Sequence, residues 1–118
     1  MKRFDIARQR NRLDKLFEQI RNASEDPEIL SHWAKYLCIL VSGFVESSIR
    51  SIYQQYAADK SSPKVANYVS NRLKVFQNPS MERILALCGA FSIEWKEELE
   101  QAPVQAKSAI NSIVANRN

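Results

Sequence analysis

The side chains able to do chemistry in this sequence are few, and most of them are charged. Residues 1–21 hold seven basic residues, Lys2, Arg3, Arg8, Arg10, Arg12, Lys15 and Arg21, against three acidic ones, while the rest of the chain is balanced. The whole net charge of +4 therefore rides on the first segment. A basic segment with Arg8, Arg10 and Arg12 close together can attract phosphates; it can equally be a solvated face. Glu46 and Arg50 stand four residues apart, on one side of a helix, where an exposed pair contributes only ~0.2–0.5 kcal/mol. The alternative is a polar group turned towards a functional cleft. His32 is the one histidine, and Cys38 and Cys88 are the only cysteines. No spacing among them matches a metal-ligand set, so no metal site is expected. Both cysteines fall in apolar helical patterns and read as unpaired core thiols. Two glycines, Gly43 and Gly89, are too few for a phosphate-cradling loop. No local signature supports a Ser-His-Asp arrangement, and no cofactor is implied.

These residues have to be positioned by helices. Leu30, Trp33, Leu37, Leu40, Val41, Phe44, Val45, Ile49, Ile52 and Tyr56 recur at spacings of three and four, the period of an α-helix. Apolar character covers most of the circumference from residue 36 to 45, as in a helix surrounded by others. Lys35, Ser42, Glu46, Arg50 and Gln54 form a narrow polar stripe. Asp26 as N-cap with Pro27 at the first helical position predicts the start, and the end is expected near Ala58, about 30 residues and ~45 Å later. Gly43, inside this helix, predicts the close approach of a neighbour.

Around this central helix the spacing predicts a first helix over 4–22, with Ile6, Leu13, Leu16, Phe17 and Ile20 as its apolar stripe. Ser62-Pro63 opens a third helix carrying Val65, Val69, Leu73 and Phe76. Asn78-Pro79 repeats the signal before a fourth, from Met81 to Cys88, which Gly89 ends or loosens. Ser92 caps a short acidic helix through Glu100, and Pro103 starts the last, with Val104, Ala106, Ala109, Ile110, Ile113 and Val114 as apolar positions. The sum is an all-α bundle of five or six helices in a single domain, residues 1–118. The helix–turn–helix outline over 85–98 reads as two bundle helices, because its second helix carries four glutamates and a DNA backbone would repel it.

The start of the chain has no apolar segment of a signal peptide, and the longest apolar run, residues 36–41, is far too short for a membrane span. A cytoplasmic protein without membrane contact is expected.

Several segments in order resemble the HEPN superfamily, in particular its RiboL-PSP-HEPN type. They are Trp33-Ala34-Lys35-Tyr36-Leu37 continuing into Val41-Ser42-Gly43-Phe44-Val45-Glu46-Ser47-Ser48-Ile49-Arg50, then Arg72-Leu73, Phe76-Gln77-Asn78-Pro79-Ser80, Phe91-Ser92-Ile93-Glu94-Trp95, and Ile113-Val114-Ala115-Asn116-Arg117-Asn118. The family signature is an arginine, a polar residue and a histidine four to six residues beyond the arginine. Arg117-Asn118 matches its opening, and the sequence stops before a histidine, so a chain truncated inside the motif is expected.

The resemblance implies an all-α, dimeric, metal-independent endoribonuclease of toxin–antitoxin or defence systems. It implies Arg117 as the phosphate-binding residue and Asn118 as its helper, with Glu46 pairing with Arg117 in support and Arg8, Arg10 and Arg12 helping to attract RNA. Its implied partners are RNA, a second copy of the chain, and a protein antitoxin or fused partner domain. Without the histidine the 118-residue chain is expected to be inactive. The competing expectation is a non-catalytic dimerisation or RNA-binding module.

Overall fold

The structure, a computed structural model, describes residues 3–23 and 25–117, without the side chains of Arg3 and Phe4. Six α-helices and no strand occur among the described residues: α1 Arg3–Ala23, α2 Pro27–Lys60, α3 Pro63–Leu73, α4 Met81–Phe91, α5 Ile93–Glu100 and α6 Val104–Arg117. The expected all-α bundle is thus the observed fold. No described helix is long and apolar enough to cross a membrane.

α2 is the spine. Asp26 caps it by accepting the Glu28 N–H at 2.9 Å, and Pro27 fills the first turn, where a missing N–H leaves no bond unmade. Its 34 residues span about 51 Å at 1.5 Å each, close to the longest dimension of the molecule, 53 Å. It runs past the expected Ala58 to Lys60, because Ser61 closes the last turn through both its N–H and its hydroxyl on the Ala57 carbonyl. Ser62 then caps α3, accepting from Val65 N, with Pro63 first in the helix.

The Asn78-Pro79 pair does not open α4. Asn78 takes a left-handed φ of 52°, a conformation that Asn tolerates better than most side chains. Pro79 is buried in the loop, and Ser80 is the cap, accepting from Arg83 N at 3.3 Å. Asn111 of α6 supplies a second acceptor, taking the Met81 N–H at 2.9 Å. α3 has already ended at Leu73, so Phe76 lies in the loop and not on the helix.

Neither glycine plays the part expected of it. α4 passes straight through Gly89 to Phe91, and Ser92 both ends α4 and caps α5. A Cβ at Gly89 would come within 2.9 Å of the Lys96 side chain, so this glycine lets α5 fold back on α4. A Cβ at Gly43 would meet nothing within 4 Å.

α1, α3 and α6 each pack on α2, while α4 packs on α5 and touches α6. The buried core runs through Leu37, Ala57, Leu73, Met81, Ile84, Cys88 and Val114, with Ile20 of α1 apart at one end. α5 buries no residue fully; it packs along α4, and aromatic rings of α2 meet its Trp95 and the Phe91 that ends α4. Tyr53 stacks on Phe91 at 4.5 Å, and Tyr56 meets Trp95 edge-on at 5.0 Å.

One end of the molecule is only two helices thick. Among the described residues α1 packs against α2 alone, so nothing described forms a third layer on their hairpin. Ile29, Trp33, Tyr36, Leu40, Gly43 and Ser47 recur on α2 at spacings of four and three, the a/d pattern of a helix seam. Ile29, Trp33 and Tyr36 are 43%, 38% and 46% exposed. The radius of gyration is 16.2 Å, against about 13.5 Å for a compact chain of this length. The accessible surface is 8512 Å², roughly 1,900 Å² more than a monomer of this mass presents.

Candidate functional site

The chemistry gathers where α2, the loop over 74–80 and the end of α6 meet. Apolar packing brings them together: Leu73 and Pro79 are fully enclosed, and Val114 is buried one turn before Arg117. Glu46 then faces outward from α2 onto two arginines. Its Oε1 accepts from Arg50 Nη2 at 2.7 Å, and its Oε2 lies 3.5 Å from Arg117 Nη1. Arg50 also donates from Nε to the Leu73 carbonyl at 3.1 Å and from Nη2 to the Phe76 carbonyl. Arg117 donates from Nη2 to Asn78 Oδ1 at 2.5 Å. The side chains of Glu46, Arg50 and Arg117 are 16%, 27% and 25% exposed.

The expectation of a plain exposed Glu46–Arg50 pair is therefore corrected. The polar stripe of α2 is roofed by the end of α6 and by the loop, and Arg50 clamps the last carbonyl of α3, Leu73, which also accepts the Phe76 N–H, together with the loop carbonyl of Phe76. Ser42, on the same stripe, is fully buried, and neither its hydroxyl nor that of Ser48 has a hydrogen-bond partner among the described residues.

The Glu46–Arg117 pairing implied by the HEPN resemblance is present in the structure. Arg8, Arg10 and Arg12 are exposed on α1, and Arg12 lines the groove between α1 and α2 with Gly43 and Ser47. Asn118 lies outside the described residues. His32 is exposed fourteen residues before Glu46 on the same helix, roughly 21 Å along the axis. Sequence reasoning missed Asn78 and the carbonyls of Leu73 and Phe76 as members of the cluster. The one available signal was an asparagine ahead of a proline in a loop, a residue suited to a left-handed turn.

Two arginines against one carboxylate leave the cluster with a net charge of +1. Among the described residues, two of the five guanidinium N–H groups of Arg117 are used. Such a group can take an oxyanion while Glu46 and Asn78 hold its plane fixed. Both oxygens of Glu46 face arginines, which makes it a positioning group for them.

Cys38 and Cys88 are free thiols, Cys88 buried and Cys38 partly so. Among the described residues no three of His, Cys, Asp and Glu gather as a metal set. Away from the cluster, burial pushes the Tyr53 phenol well above its ordinary value, and the adjoining Cys88 side chain adds to the effect. Comparison with protein-family models, with curated proteins and with solved structures returned no match.

Proposed function

We propose that the chain is the helical scaffold of a metal-independent endoribonuclease of the HEPN type. The observation that supports this reading is the arrival of Arg117, from the end of α6, at Glu46 on α2 and Asn78 in the loop. Three elements fix one guanidinium that still has donors to offer. In this reading Arg117 binds the phosphate and offsets the charge that develops on it, and Asn118 assists. In the family the proton acceptor is a histidine four to six residues beyond the arginine. It takes the proton of the ribose 2′-hydroxyl, whose oxygen bonds to the adjacent phosphorus as the bond to the 5′ oxygen breaks. The leaving oxygen takes up a proton, and the products are a 2′,3′-cyclic phosphate and a 5′-hydroxyl.

The active unit in this reading is a homodimer. The exposed Ile29, Trp33 and Tyr36 on α2 support it, as does a surface surplus larger than the ~800 Å² that each partner buries in a standard interface. A second copy crossing at Gly43 would bring two Glu46–Arg117 clusters to either side of one axis. The same exposed residues favour a second reading, a dimerisation module without chemistry.

RNA cleavage in EDTA separates the two. A longer protein that carries residues past Asn118, including the histidine, cleaves single-stranded RNA; its Arg117→Ala variant and the 118-residue chain do not. A longer protein that holds the histidine and leaves every RNA intact contradicts the nuclease and leaves the module.

A further inference from the structure

α3 and α4 flank the loop over 74–80 yet do not pack on each other. Between them lies an open cleft of about 620 Å³. Val69 and Leu73 form one wall, Leu87 and Phe91 the other, with Phe76 at the closed end. Each wall presents residues three and four apart, the ridges that receive a third helix. Tyr68 and Val75, at the rim, are 63% and 73% exposed. Arg72 and Arg83 are the only charged residues of the lining, and both are exposed. Arg83 is aimed by a bond to the Gln77 carbonyl at 3.3 Å.

We infer that this cleft docks an amphipathic helix of another protein whose apolar stripe is flanked by aspartate or glutamate. The charge decides the occupant. Two arginines and no carboxylate are among the lining residues, so an acidic flank is drawn in and a basic one is repelled. The apolar walls decide against nucleic acid, whose interfaces are built on phosphate contacts and are far more polar. An apolar groove that takes helix anchors at i, i+3 or i+4 and i+7 is a recurrent mode of peptide recognition. Arginine is also among the side chains that most often anchor such interfaces. The cleft adjoins the Arg117 cluster: the side chains of Leu73 and Phe76 line it, and their carbonyls are held by Arg50.

The test uses the 118-residue chain and two fluorescein-labelled, 16-residue designed helices. Both carry leucine at every third and fourth position; one has glutamate on its flanks, the other lysine. Fluorescence anisotropy is expected to show the glutamate helix binding at least tenfold more tightly. The double variant Arg72→Glu/Arg83→Glu, confined to exposed positions, inverts that preference. Ala86→Trp, which fills the cleft from an exposed position of α4, removes binding of both helices while circular dichroism stays unchanged. Equal affinities, no binding of either helix, or binding untouched by Ala86→Trp overturns the proposal. So does an oligouridylate that binds in place of the glutamate helix and is lost in Arg72→Glu/Arg83→Glu, which assigns the cleft to RNA.

Discussion

Ser42 sits at the centre of the spine helix with no exposed surface and a hydroxyl without a partner among the described residues. A buried hydroxyl without a partner costs about 1–3 kcal/mol. Ser42→Ala is therefore expected to raise stability by about 1 kcal/mol in denaturant melts, with alanine's better helix propensity acting in the same direction. A loss of stability would mean that the hydroxyl has a partner. Tyr53 gives a pH signature. Its phenol keeps its proton in the folded state at a pH where the unfolded chain, with an ordinary value near 10, has released it. Folding is then favoured below pH ~10, and that contribution falls away as pH rises above it. Tyr53→Phe should flatten the alkaline decline in stability; an unchanged decline would show that another group causes it. The residue scale is also where the sequence was least legible. Glu46 and Arg50 announced a pair by spacing. That Arg50 clamps two carbonyls, and that Asn78 meets Arg117 across 39 residues, depends on a loop path that no local pattern encodes.

Among the elements, helix starts were legible and glycines were not. Asp26-Pro27, Ser62-Pro63 and Ser92 each combine an oxygen acceptor with a chain able to enter a helix, and each caps as read. Asn78-Pro79 misled because Ser80, one residue on, offers a cap of the same chemistry. Gly43 and Gly89 could not be told apart by sequence, since a glycine marks the need for space without naming the neighbour. Gly43 now yields a two-sided prediction. Gly43→Ala adds a Cβ into open space and should stabilise the monomer by about 0.5–1 kcal/mol, the usual gain over glycine inside a helix. If the α2 stripe is the contact between copies, the same change weakens self-association, and Leu40→Glu abolishes it. Sedimentation equilibrium of the three proteins checks this. A wild-type chain that stays monomeric at high micromolar concentration, or a dimer indifferent to Leu40→Glu, removes the stripe from the account.

At the scale of the whole molecule, charge and shape are divided between two ends. The two-helix arm carries the basic α1 and the exposed Ile29, Trp33 and Tyr36, while the meeting of α2, the loop over 74–80 and α6 carries the Arg117 cluster. The all-α architecture was legible because periodicity and caps are local; the division was not, because it depends on which faces α1 and α6 leave open. It sets up two rival phosphate sites, the diffuse arginines of α1 and the ordered guanidinium of Arg117. A single-stranded RNA titration, followed by anisotropy across a series of salt concentrations, separates them in the 118-residue chain. A charge-assisted hydrogen-bonded contact contributes about 1.5–3 kcal/mol, so Arg117→Ala should weaken binding roughly tenfold to a hundredfold. Arg10→Ala, which removes one exposed charge, should change it far less. Full RNA affinity in Arg117→Ala, with binding lost on replacing Arg8, Arg10 and Arg12, would contradict the placement of the phosphate at the Glu46–Arg117–Asn78 cluster.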